Sequence, residues 1–86
     1  MQHNNTKTMI ERGYRPNGVS KGISYFYKNR DKCRLTARIH NDNVSLEVDC
    51  NGYITIIPDL HILHNRFSEI ETNICNLTQS IKKALM

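Results

Sequence analysis

Basic side chains recur at alternate positions in the segment RDKCRLTARIH, residues 30–40. Every second position but one carries a basic residue: Arg30, Lys32, Arg34, Arg38 and His40. In a β-strand this alternation sends the basic side chains to one face and the apolar residues between them to the other. A row of cations on one face is suited to contacts with phosphate groups, and the competing interpretation is an ordinary solvated face.

Charge is distributed unevenly along the chain, which has 86 residues and a net charge of +4. Residues 1–40 contain nine lysines and arginines against two acidic residues, a net charge of +7. Residues 41–71 contain six acidic residues against Arg66, a net charge of −5. A chain polarised in this way presents one positive surface, which favours an anionic partner.

The apolar runs and the cysteines restrict the cellular setting. No apolar run is long enough to cross a bilayer, and the polar N-terminal segment does not resemble a signal peptide, so no membrane association is predicted. The three cysteines are odd in number and lack metal-type spacing. They predict reduced thiols in an intracellular reducing compartment, the nucleus or the cytoplasm.

Local patterns predict one domain over residues 21–86, preceded by a flexible basic arm over residues 1–20 that has no hydrophobic period. Four strands are expected, in GISYFYK, residues 32–40, VSLEVDC and YITII. The dipeptide Asn51–Gly52 is a strong hairpin signal, because both central residues of a type I′ turn need positive φ. Pro58 is expected to end the last strand.

A helix is predicted after the strands, because apolar residues from Leu60 to Ala84 are spaced alternately by three and four. The helix begins either at Pro58 or, after a break near His64, at a start capped by Ser68. The apolar stripe of this helix is longer than one such sheet can cover. The uncovered part is therefore predicted to form a homodimer interface. The expected interface residues are Phe67, Ile70, Ile74, Leu77 and Ile81. The fold class is therefore α+β, a four-stranded antiparallel meander followed by one long helix.

The turn lengths determine which residues share a face. A two-residue loop at Asn41–Asp42 pairs the apolar residues of the two flanking strands, with Cys33 opposite Cys50, both read as small core residues. On the opposite face it pairs Arg34 with Asp49 and places Arg38 diagonal to Glu47. Such cross-strand ion pairs are the competing explanation of the basic row, and each contributes only a few tenths of a kcal/mol.

The first hairpin decides where the tyrosines lie. A two-residue loop at Arg30–Asp31 puts Tyr25 and Tyr27 on the basic face and Phe26 in the core, opposite Leu35. Rings beside cations are typical of proteins that bind single-stranded nucleic acid, because the rings stack on bases while the cations meet phosphates. A loop of odd length would instead send the tyrosines into the core, and the sequence leaves this choice open.

No catalytic site, metal site or cofactor is predicted. His61 and His64 lie near Asp59, but no cysteine is close in sequence to complete a tetrahedral zinc site. No Ser/His/Asp group, carboxylate pair or glycine-rich phosphate loop has a suitable setting. An enzyme is therefore not expected.

Two segments resemble the positive cofactor four transcriptional coactivators and their single-stranded-DNA-binding relatives. NGYITIIPDLHILHNRFSEI is similar to that family's glycine, alternating strand, proline, acidic residue and amphipathic helix, in the same order. YFYKNRDKCRLTARIH is similar to its basic hairpin, with Arg38 at the arginine that ends the strand and Lys28, Arg30 and Lys32 in the basic turn. The resemblance covers residues 23–85. It implies four antiparallel strands, one long helix, dimerisation through the helices, and a role in transcription or replication.

The chain also departs from that family's pattern. The family has further basic residues before and within the stretch that leads to the last strand, where this chain has Asp42, Glu47 and Asp49 and no lysine or arginine. The aromatic residue that follows the family's second strand is replaced here by Asn41 and Asp42. A DNA-facing surface on this chain would therefore carry a narrower band of positive charge.

Two functions follow from these observations. The first is a dimer that binds single-stranded or locally melted DNA, without sequence specificity, on one face of the sheet. The residues expected to bind are Lys21, Tyr25, Tyr27, Lys28, Arg30, Lys32, Arg34 and Arg38. The alternative is a small interaction or inhibitor module, viral or encoded by a mobile element, that docks an acidic protein.

Overall fold

The computed structural model describes residues 4–85 and shows an α+β fold, in which a C-terminal helix packs on a five-stranded antiparallel sheet. The strands lie side by side in chain order, and a two-residue turn joins each to the next. In chain order the elements are α1 (Asn5–Glu11), β1 (Arg15–Ser20), β2 (Ile23–Arg30), β3 (Cys33–His40), β4 (Asn43–Cys50), β5 (Tyr53–His61) and α2 (Phe67–Leu85).

The sheet has five strands and not the four that the sequence predicted, because β1 pairs with β2 at one edge. In place of the expected flexible arm, residues 4–20 form α1 and β1; residues 1–3 lie outside the described part of the chain. Asn4 caps α1, since its side-chain oxygen accepts a hydrogen bond from the backbone N–H of Lys7 at 3.0 Å. α1 buries only Met9 and β1 buries no residue, so neither element has a hydrophobic period that the sequence could reveal.

The hairpin between β3 and β4 has the predicted register. Leu35 lies opposite Val48, Ala37 opposite Leu46 and Ile39 opposite Val44. All six side chains are buried on one face of the sheet, here called the inner face. The prediction that Cys33 faces Cys50 is also confirmed, but the two form a disulfide where reduced thiols were expected. Their Cα atoms are 4.4 Å apart, the spacing of a non-hydrogen-bonded antiparallel pair.

The hairpin between β2 and β3 turns at Asp31–Lys32, which decides between the two alternatives that the sequence left open. The loop has two residues and lies one position later than the two-residue loop considered at Arg30–Asp31, so the register shifts by two and the side chains keep the faces of that alternative. Phe26 is therefore buried, although it lies opposite Ala37 and not Leu35. Tyr25 lies opposite Arg38, on the face away from the core, which we call the outer face.

Strand β5 continues through Pro58 to His61, so the prediction that Pro58 ends the strand is wrong. β5 is the edge strand of the sheet, and the register shifts where Pro58 passes β4. Proline has no backbone N–H to donate, so it is tolerated at an irregular position of an edge strand. Leu60 and Ile62 consequently enter the core from the strand and the following loop, and the helix begins at Phe67.

Helix α2 covers the inner face of the sheet. It has 19 residues, which corresponds to about 28 Å at 1.5 Å per residue. Phe67 and Ile74 are buried against the sheet, and Ile70 packs at the edge of the same core. Met9 of α1 joins this core, so both helices lie on the inner side.

Candidate nucleic-acid interface

The outer face of the sheet is open, since within residues 4–85 no helix or loop covers it. Because side chains alternate between faces along each strand, β2, β3, β4 and β5 each present a different type of side chain on the outer face. Strand β2 contributes Tyr25 and Tyr27, and β3 contributes Arg34 and Arg38. On the other side, β4 contributes Glu47 and Asp49, and β5 contributes Ile54 and Ile56. The face thus changes from aromatic and basic to acidic and apolar across the sheet.

Tyr27 and Arg34 form one contact on this face. The guanidinium carbon of Arg34 lies 4.5 Å from the centroid of the Tyr27 ring, within the range of a cation–π interaction. Arg34 lies opposite Asp49 as predicted, but the two are not an ion pair within 4.0 Å. Asp49 instead accepts a hydrogen bond from the backbone N–H of Gly52 at 2.8 Å, closing the last hairpin. The exposed Arg34 guanidinium therefore contacts an aromatic ring and is not in an ion pair with a carboxylate.

Arg38 has a different setting. Its guanidinium lies 3.4 Å from the Glu47 carboxylate, and the two side chains are 38% and 22% exposed. The diagonal ion pair predicted from the sequence is thus confirmed. A pair at this exposure contributes about 0–1 kcal/mol, and its carboxylate reduces the positive potential around Arg38.

Lys28 and Arg30 lie on the inner side, because they alternate with Tyr27 and Asn29 along β2. The ammonium of Lys28 is 2.8 Å from the Glu71 carboxylate of α2 and donates to the backbone carbonyl of Arg12 at 2.9 Å. Arg30 donates to the Thr72 hydroxyl at 2.5 Å. These two bases of the predicted set therefore bind the helix and do not share the face of Arg34.

Lys21 and Lys32 lie in turns at opposite ends of β2. Both have left-handed backbone angles, with φ of 53° at Lys21 and 67° at Lys32. Both are exposed, so each turn presents one cation at the end of the sheet. The predicted set is thus divided among the outer face, the two turns and the inner side.

A buried polar cluster lies behind Lys28. Glu71 is 2% exposed and accepts a short hydrogen bond from the Tyr14 hydroxyl, in addition to its pair with Lys28. Burial, together with the adjacent Glu71 carboxylate, raises the pKa of the Tyr14 hydroxyl. The ammonium of Lys28 also lies 4.6 Å from the centre of the Tyr14 ring. The cluster ties β2 and the segment before β1 to α2.

Two arginines outside the predicted set lie next to this cluster. Arg12 and Arg15 line an open groove of about 540 Å³ together with Gly13, Tyr27, Lys28, Asn29 and Arg30. They were missed because they fall in the segment expected to be a flexible arm. The only signal in the sequence was the presence of two arginines three positions apart around Gly13.

A second groove, of about 690 Å³, lies at the end of the sheet where the β2–β3 and β4–β5 turns meet. Arg30, Lys32 and Arg34 line it together with Asp31 and Asp49. The two carboxylates offset two of the three cations. This end of the sheet is therefore polar, with less excess positive charge than the groove at Arg12.

Within residues 4–85 no group of three His, Cys, Asp or Glu side chains is placed to hold a metal ion. No helix among the same residues is long and apolar enough to span a membrane. Comparison of the chain with protein-family models, curated proteins and solved structures finds no match.

Proposed function

We propose that the protein binds single-stranded or locally melted DNA on the outer face of its sheet, without sequence specificity, in transcription or replication. The supporting observation is that Tyr25 and Tyr27 lie on an open face beside Arg34 and Arg38. Bases stack on aromatic rings whatever their identity, and cations meet the phosphates between them. The role is that of a binding protein and not of an enzyme, acting in the nucleus or the cytoplasm.

The two arginines make unequal contributions in this proposal. A phosphate that approaches Arg38 competes with Glu47 for the same guanidinium. A phosphate that approaches Arg34 meets a cation whose neighbour is the Tyr27 ring. Arg34 is therefore the main phosphate contact, and Lys32 in the adjacent turn extends it. Lys28 and Arg30 support the sheet from the inner side.

The proposal includes a homodimer formed through α2. Phe67 and Ile74 of the expected interface are buried within one chain and serve the core. Leu77 is 53% exposed and Ile81 is 39% exposed, one helical turn apart. The exposed Leu85 continues the same stripe, so these three residues form the proposed contact between two copies.

Fluorescence anisotropy with a labelled single strand of about 20 nucleotides and with its duplex, each at two salt concentrations, tests the proposal. We expect preference for the single strand, and a log–log salt slope of about −0.7 for each phosphate neutralised. Arg34→Glu should weaken binding more than Arg38→Glu. Arg66→Glu is the matched control, since Arg66 is 71% exposed in the loop before α2. Absence of single-strand binding at low salt would refute the proposal.

A second candidate function is a module that binds another protein. Ile54 and Ile56 support it, because they are 54% and 52% exposed on the outer face of edge strand β5. Apolar residues on an open edge are suited to a protein surface or to an added strand. In this case the basic side of the same face would meet an acidic partner. Ile56→Lys should abolish such binding and leave DNA affinity unchanged or slightly higher.

A further inference from the structure

The groove lined by Arg12 and Arg15 lies at the edge of the sheet where β2 extends beyond the beginning of β1. Arg15 pairs with Tyr27, so Asn29 and Arg30 have no partner on β1. The chain arrives at this point from α1 through Gly13, whose φ of 92° is readily adopted only by glycine. The groove is thus built from the α1–β1 connection on one side and the unpaired end of β2 on the other.

The charges of the groove are unbalanced. Four cationic side chains line it, and no acidic residue of the described chain does. Glu71 neutralises Lys28 from behind, and the Asp31 carboxylate lies 3.6 Å from the Nε of Arg30. No carboxylate within residues 4–85 comes within 4.0 Å of Arg12 or Arg15. Within residues 4–85 neither Arg12 nor Arg15 is therefore in an ion pair, although the Glu71 carboxylate acts on Arg12 over a longer distance.

Arg12 is held in place by contacts other than ion pairs. Its guanidinium carbon lies 4.0 Å from the centroid of the Phe67 ring, and one of its nitrogens is 3.9 Å from the Met9 sulfur. Burial lowers the pKa of this guanidinium, which shows the cost of keeping a cation in a partly desolvated position. An anion in the groove would offset that cost, and the ring fixes the guanidinium before the anion arrives.

We propose that this groove is a binding site for a phosphate group, held chiefly by Arg12 and Arg15. Guanidinium groups donate paired hydrogen bonds that match the oxygens of a phosphate. The groove volume of about 540 Å³ exceeds that of a phosphate ion. The site does not depend on DNA binding at the outer face.

The test follows backbone amide signals of the ¹⁵N-labelled full chain by NMR during titration with inorganic phosphate. Sodium chloride at matched ionic strength is the reference for screening. With phosphate we expect saturable changes in the amide chemical shifts of Gly13, Asn29 and Arg30. Chloride should not produce these changes. Arg15→Gln should weaken phosphate binding about tenfold, the effect of losing one charge-assisted contact. Lys7→Gln, which removes an exposed charge from α1, should leave it unchanged.

Two further titrations identify the source of the phosphate. A short oligothymidylate with a 5′-phosphate and the same strand with a 5′-hydroxyl differ only in the terminal group. Tighter binding of the phosphorylated strand at the groove assigns the site to a strand terminus, and equal binding assigns it to free phosphate or the strand backbone. The proposal is overturned if phosphate and chloride give the same shifts, if the shifts lie elsewhere, or if Arg15→Gln binds as the unmodified chain does.

Discussion

The ion pair between Lys28 and Glu71 should be the most strongly coupled pair of charges in the described chain. The two side chains are only 16% and 2% exposed, and their charged atoms are 2.8 Å apart. Glu71 also accepts the Tyr14 hydroxyl, so its two partners come from β2 and from the segment before β1. Removal of one member leaves the other charge buried without its paired counter-charge.

The burial of this pair determines how much the free energy of unfolding should fall when one member is replaced. Lys28→Met should lower the free energy of unfolding by about 3–5 kcal/mol, because the Glu71 carboxylate would lose its counter-charge in the core. An 86-residue domain has a total stability of about 4–13 kcal/mol. The single change therefore removes a large share of it. In Lys28→Met/Glu71→Gln neither charge remains, so the double variant should be more stable than the sum of the two single changes predicts, by well over 1 kcal/mol.

Urea denaturation followed by circular dichroism measures all four members of this cycle, with trimethylamine oxide added equally to each to keep the weakest folded. The matched control is the less buried pair of Arg38 and Glu47, at 3.4 Å, in the cycle Arg38→Met and Glu47→Gln. Its coupling should stay below about 1 kcal/mol. A coupling between Lys28 and Glu71 no larger than that of the control pair would refute the reasoning.

Four further predictions concern single features of the fold. Reduction of the Cys33–Cys50 disulfide, whose cysteines are 17 positions apart, should lower the free energy of unfolding by about 3 kcal/mol in urea denaturation with dithiothreitol. Lys32→Gly should raise it by about 1 kcal/mol, because φ at this position is 67° and glycine adopts such an angle without strain; an unchanged midpoint would contradict this. Leu77→Glu should convert the proposed dimer to a folded monomer by light scattering, and a monomeric parent chain would exclude that interface. The raised pKa of Tyr14 gives stability that is complete below about pH 10 and is lost as the pH rises above it, since the unfolded chain ionises first. Tyr14→Phe should remove this part of the decline in pH-dependent urea denaturation.

The central strands could be predicted because their side chains alternate strictly between core and solvent. In β3 and β4 the alternation leaves one possible register for a two-residue turn, and the structure has it. The face of Tyr25 and Tyr27 could not be predicted, because a loop of odd length would have sent both rings into the core. The two-residue turn at Asp31–Lys32 places them on the outer face.

The edge strand β1 and the end of edge strand β5 could not be predicted from the pattern of apolar residues. β1 is exposed at every position and contains Pro16 and Gly18, so it resembles a loop in sequence. The helical spacing of Leu60 and Leu63 suggested an earlier start of the helix, although Leu60 belongs to a strand and Leu63 is 53% exposed. Apolar residues of a strand end and a loop can continue a helical period by coincidence.

The course of a bound strand in the proposed function follows from the distribution of charge on the outer face. The acidic residues of β4 would repel a phosphate backbone that crossed the sheet from edge to edge. A path along β2 and β3 avoids them and passes the Tyr27 ring and Arg34, which already lie 4.5 Å apart. At the edge of the sheet, Arg15 lies opposite Tyr27 and also lines the groove with Arg12. The proposed phosphate site lies where such a path would leave the face, so the 5′-phosphate titration also tests whether a bound strand ends there.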